Sequence, residues 1–95
     1  MKKNCTPYQV CVVKRHGRVE RYDGKKVYAS CYAAALNSHH TEENAEKVAL
    51  EVMKKVNQWA KGKKAMSSDD IRAQVLKNIS DKDVKLMYRH HRDIS

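Results

Sequence analysis

Six Lys or Arg residues fall in VVKRHGRVERYDGKKV, Val12 to Val27, beside Glu20, Asp23 and a glycine turn at Gly17. Lys and Arg are the side chains that hold phosphates, one as a point charge and the other as a planar fork. Lys14 and Arg15 are adjacent, so on a regular strand they point to opposite faces. Both can address one ligand only where the strand twists or ends, and Gly17 is close enough to allow that. Lys26 falls in the first turn of a following helix, where free N–H groups and the positive dipole end already favour an anion. The three cations can then converge on a phosphate chain, with Glu20 and Asp23 beside them as acceptors for ribose hydroxyls or a base amino group. A solvated hairpin with no site is the competing reading, and on charge alone the two stand level.

Other chemistries find less in the chain. There is no GxxxxGK[ST] or GxGxxG, and the three glycines are scattered. Cys5, Cys11 and Cys31 are odd in number and have no CxxC spacing, so they read as reduced, mostly buried thiols. The doublets His39–His40 and His90–His91 point different ways on a helix, and no metal site is expected from them. No serine, cysteine or carboxylate has a visible base partner, so no catalytic residue is assigned and the chain does not read as an enzyme. Trp59 reads as a partly buried anchor.

The elements that must position these residues follow from periodicity. YQVCVVK, 8–14, is rich in β-branched residues and apolar on both faces, which predicts a central strand. RHGR turns the chain and RVERY, 18–22, returns, making a hairpin. Asp23 caps a first helix that is apolar nearly all round, with Val27, Cys31 and Ala34 on one stripe and Tyr28, Tyr32 and Leu36 on the next, so most of it is expected to be buried. Thr41 caps a second, whose Ala45, Val48, Ala49, Val52, Met53, Val56 and Ala60 recur at three- and four-residue steps until Gly62. KAM, 64–66, suggests a short third strand. SSDD opens a third helix with Ile71, Val75, Leu76 and Ile79 inward. Ser80 and Asp83 have capping-box spacing for a fourth, with Val84, Met87, Tyr88 and His91 on one face. The fold expected is α+β and mainly α: a four-helix bundle covered by a small antiparallel hairpin or three-stranded sheet.

Ninety-five residues suffice for one modest core, and a net charge of +9 favours anionic partners. No segment nears the ~20 apolar residues of a membrane span, and the opening MKKNCTPYQV lacks the apolar run of a secretory signal, so a cytoplasmic location and no membrane partner are expected. The charge also supports an alternative, a small basic nucleic-acid-binding protein with a degenerate nucleotide pocket. Its cations are spread over the hairpin, residues 54–64 and the last helix, and no helix-turn-helix, RRM or KH signature is present.

Residues 12–27 also resemble the signature of the ATP-cone domain: hydrophobic-x-Lys-Arg-x-Gly, an acidic strand residue, Asp or Asn, then Lys and an aliphatic. SSDDI, 67–71, is similar to that family's opening of its third helix, and DVKLMYRHHRDIS to its last. The resemblance covers residues 10–95, leaving 1–9 as an N-terminal extension. It implies a regulatory module binding ATP or dATP with Mg2+ under a hairpin lid, as in ribonucleotide reductases and in a repressor of reductase genes. Carried over, Val12 and Val27 would pack on adenine, Lys14, Arg15 and Lys26 would hold phosphates, Glu20 and Asp23 would meet base or sugar, and Ser68 would lie near the nucleotide. The same resemblance implies control of homo-oligomerisation or of a partner protein. His16 stands where the family often has Asp, and Gly24 loosens the start of the first helix. Arg18, Arg21 and Lys25 are left as surface charge.

Overall fold

The computed structural model describes residues 11–14, 17–63 and 65–90. A three-stranded sheet lies against four helices in the order β1 (Cys11–Val13), β2 (Val19–Arg21), α1 (Gly24–Asn37), α2 (Glu42–Ala60), β3 (Ala65–Ser67), α3 (Ser68–Asn78), α4 (Lys82–His90). β1 is central, as its apolar run predicts, with β2 antiparallel on one side and β3 on the other. The register sets Val12 opposite Glu20 and Val13 opposite Val19. Gly17 takes φ +82° in the turn, where the Lys14 N–H donates to Arg18 O at 2.7 Å.

The sheet is mixed, which corrects the antiparallel expectation: β3 runs parallel to β1, pairing Val12 with Met66. The reason lies in the connection. β2 ends beside the start of β1, and α1 and α2 form an up-and-down pair that returns the chain to the end it left. β3 therefore enters at Cys11, opposite Ala65, and runs in the direction of β1.

Each helix start follows from a local hydrogen bond. Asp23 Oδ1 accepts from Lys25 N at 3.0 Å and Thr41 Oγ1 from Asn44 N at 3.1 Å, the two caps expected. Ser67 and Asp70 form a reciprocal capping box on α3, so the first serine of SSDD lies outside the helix and Ser68 in its first turn. On α4 the Ser80–Asp83 box is replaced: Asp81 Oδ1 accepts from Asp83 N at 2.8 Å and Val84 N at 3.2 Å. A carboxylate one residue before the helix reaches both orphan donors, which a Ser80 hydroxyl one step further back does not. Asp81 Oδ2 also meets His40 Nε2 at 3.0 Å, tying the α1–α2 turn to the start of α4. His39 in that turn holds φ 71°.

The core gathers Cys31, Ala34 and Ala35 of α1, Ala45, Ala49, Val52 and Val56 of α2, Val75 and Ile79 from α3 and its end, and Val84 and Tyr88 of α4. Each branched side chain so buried contributes ~1.5–3 kcal/mol. Small residues along α1 and α2 let the two helices approach closely. The expectation that α1 is buried nearly all round fails on its second stripe: Tyr28 and Tyr32 stack at 5.9 Å while half-buried, and Leu36 is 37% exposed. β1 likewise buries Val12 but leaves Val13 41% exposed, because helices cover only one face of the sheet. Trp59 packs half-buried against the core, and Lys63 stands 4.8 Å over its ring. Cys31 is a buried free thiol whose burial pushes its pKa up to about 12. Cys11 is disulfide-bonded, so the reading of reduced thiols holds for Cys31 and not for Cys11. Cys5, Arg15, His16 and His91 lie outside the described residues. Among the described residues no helix is long and apolar enough to cross a membrane.

Candidate functional site

Where the hairpin passes over the first turns of α1 and α3, an open cleft forms. Val12, Lys14, Glu20, Asp23, Lys26, Val27 and Ser68 all line it. They come from β1, β2, the α1 cap, α1 and α3, so five pieces of chain meet there. Arg15 is the one predicted site residue outside the described residues.

Glu20 is the electrostatic centre. Its Oε1 lies 3.1 Å from Lys26 Nζ and 3.7 Å from Lys14 Nζ, and its Oε2 lies 3.2 Å from Arg18. The hydrogen bond from Lys26 does most to hold the Glu20 carboxyl below the usual carboxylate range, with the charges of Lys14, Lys26 and Arg18 adding to it. Lys14 reaches this point because it follows the last residue of β1, where the regular alternation of strand faces stops. Lys26 reaches it because Asp23 fixes the start of α1 and so sets which way the first turn faces. Arg18, assigned to bare surface from the sequence, joins the cluster from the exposed side. Arg21, assigned likewise, borders the cleft. Lys25 is exposed and outside it.

Behind the charges the walls are apolar. Val12 and Val27 are buried at the base, and Ile71 and Tyr88 continue the lining from α3 and α4. Tyr88 is a core residue whose ring edges the cleft. Burial raises its hydroxyl to about 12, and the ring carries the Arg72 guanidinium at 5.3 Å. Ser30 is buried, and its hydroxyl donates to Lys26 O at 2.8 Å, so it shapes the wall with its own polar group satisfied. Tyr22 lines the mouth and donates to Asn57 Oδ1 at 2.6 Å.

Ser30, Ile71, Arg72 and Tyr88 were not singled out for the site from the sequence. One signal for α3 existed: Ser68, Ile71 and Arg72 stand at i, i+3 and i+4, on one helix face. Tyr88 carried no such signal, because its spacing to Val84 reads equally as core.

A hollow with apolar walls, a cationic rim and two helix N-termini suits a ligand with a flat apolar portion and an anionic tail. Among the described residues no group of three His, Cys, Asp or Glu stands together to hold a metal ion. The chain matches the ATP cone domain family over residues 10–94. Comparison with curated proteins gives no match.

Proposed function

The chain belongs to the ATP-cone family of nucleotide-binding regulatory domains, and on that premise we propose that its cleft takes ATP or dATP as the Mg2+ complex. The unit proposed to bind is residues 10–95, with 1–9 as an extension. Val12 and Val27 lie against the adenine. Lys14, Lys26 and Arg15 hold the phosphates, Glu20 and Asp23 accept from the base amino group or the sugar, and Ser68 sits beside the nucleotide in the first turn of α3. Mg2+ travels with the phosphates; among the described residues the carboxylates at the cleft are Glu20 and Asp23.

The observation that carries this reading is the convergence of Lys14 and Lys26 on one oxygen of Glu20 from different elements, at 3.7 and 3.1 Å. Two ammonium groups that can close on a single carboxylate oxygen can close on a phosphate in the same way. A nucleotide there would bridge the hairpin, α1 and α3. Ligand binding that joins separate elements favours the arrangement in which they are close, and that shift is the means of control over oligomerisation or over a partner such as a ribonucleotide reductase or its gene regulator.

Calorimetric titration with ATP and dATP in Mg2+ is the test. Binding is expected for the native chain, and weaker binding by at least about 100-fold for Lys14→Ala/Lys26→Ala, since the two charged hydrogen bonds removed are worth ~1.5–3 kcal/mol each. No heat at millimolar nucleotide, or undiminished affinity in the variant, would sink the reading.

A further inference from the structure

The cations at the cleft leave much of the +9 charge elsewhere. Residues 52–68 hold five lysines and no Asp or Glu. They run through the second half of α2 into the turn before β3. Lys54 and Lys61 are exposed and seven positions apart, two helical turns, so they stand in one row about 10.5 Å apart. Lys63 follows the helix with its ammonium over Trp59, on another side of α2 from that row. α1 and α2 are antiparallel, and Gly24 abuts Asn57 so closely that a Cβ there would lie 2.5 Å from Oδ1. The first turn of α1 thus brings exposed Lys25 to the same end of α2. Lys55 pairs with Glu51 at 3.4 Å, whereas Lys25, Lys54, Lys61 and Lys63 carry no ion pair among the described residues. α2 contributes no residue to the cleft lining, so this charge is not drawn on by the nucleotide.

We propose that the ridge formed by Lys25, Lys54 and Lys61 is a second anion site, and that it takes the phosphate backbone of duplex nucleic acid without regard to sequence. Three observations select this partner. Protein interfaces are depleted in Lys and centre on aromatic, Met or Arg anchors, but the Lys54–Lys61 row holds polar Gln58 between its lysines. A membrane-surface helix buries an apolar face in the lipid, and the apolar face of α2 is already turned into the core. Single-strand binding needs open aromatic faces for bases, whereas Trp59 is packed on the core and covered by Lys63. What remains is a row of point charges, the equipment for tracking a duplex backbone.

Fluorescence anisotropy of a labelled 20-base-pair duplex, titrated with NaCl from 50 to 200 mM, tests the proposal on the whole chain. Three phosphate contacts predict a log–log salt slope of about −3, roughly a fortyfold loss across that range. Lys54→Glu/Lys61→Glu is expected to lower the slope by about 2 and weaken binding at least tenfold at 50 mM. The milder Lys54→Gln/Lys61→Gln is expected to move in the same direction, and both variants should keep the parental nucleotide heat, which reports on folding and on the separate cleft. The proposal is overturned by no duplex binding at 50 mM, or by an unchanged slope in the variants. It is equally overturned by tighter binding of a single strand, or by equal binding of polyglutamate or anionic vesicles.

Discussion

Tyr22 Oη donates to Asn57 Oδ1 at 2.6 Å, joining the residue before the α1 cap to the last turn of α2 across 35 positions. This bond fixes how the hairpin meets the helices, because Tyr22 follows β2 directly and lines the mouth of the cleft. Gly24 is packed against the same amide.

Tyr22→Phe is expected to cost about 1 kcal/mol by leaving the half-buried Asn57 amide short of a donor. Gly24→Ala puts a methyl where Asn57 Oδ1 stands, so the amide must rotate and give up Tyr22. The two changes therefore strike the same bond, and the double variant should lose less than the sum by about 0.5–1 kcal/mol. Urea denaturation of the four proteins measures this, and the cycle cancels alanine's intrinsic helix preference. Additive effects would show that the amide moves without releasing Tyr22.

Glu20→Gln leaves Lys14, Arg18 and Lys26 facing one another without their counter-charge. The ligand-free variant is expected to melt below the parent at low salt, by no more than about 1 kcal/mol because these groups are partly solvated. The gap should close as salt rises. It should also close with inorganic tripolyphosphate, which has no base or sugar and reads the cations alone. Equal melting of variant and parent in 10 mM salt would mean the three pairs contribute nothing to the hairpin.

Asp81→Ala removes the acceptor for Asp83 N and Val84 N together with the partner of His40, and should cost about 1–2 kcal/mol. The backbone N–H of Val84 is the leading cause that holds this carboxyl below its ordinary range, with Asp83 N–H and His40 adding to it. A depressed carboxyl contributes stability above its unfolded pKa and loses it as pH falls through the folded value. The stability gap between parent and Asp81→Ala should therefore narrow in acid, seen in melts between pH 6 and pH 2. A gap independent of pH would assign the effect to something other than the ionised cap.

Alkaline conditions act on the opposite kind of group. Burial raises Cys31, Tyr22 and Tyr88 to about 12 from ordinary values of 9 and 10. Between those limits the unfolded chain releases protons that the fold keeps, so stability is fully present below about pH 9 and falls as pH climbs towards 12. Tyr88→Phe should flatten part of that fall from pH 10 upward, while Cys31→Ala should act from pH 9. Melting curves at fixed ionic strength would show it, and identical pH slopes in Tyr88→Phe and parent would exclude Tyr88.

Element types were legible where short-range physics decides them. The β-branched run at 11–13, the caps at Asp23 and Thr41, and the apolar repeat of α2 each depend on residues within a few positions of one another. The cluster of Lys14, Glu20 and Lys26 was also within reach, because a tight turn and one helical turn separate its members. Three relationships required the folded chain. The direction of β3 depends on where α1 and α2 return it, and the half-exposed Tyr28–Tyr32 stripe on which neighbours come to lie beside α1. Arg72 and Tyr88 enter the cleft because α3 and α4 pack across its far wall. The sequence by itself determined the helices, the hairpin and the cationic rim, since these rest on local spacing and charge. Only the tertiary structure decided which apolar residues close the cleft and which lysines are left outside it, because burial is settled by contacts between residues far apart in the chain.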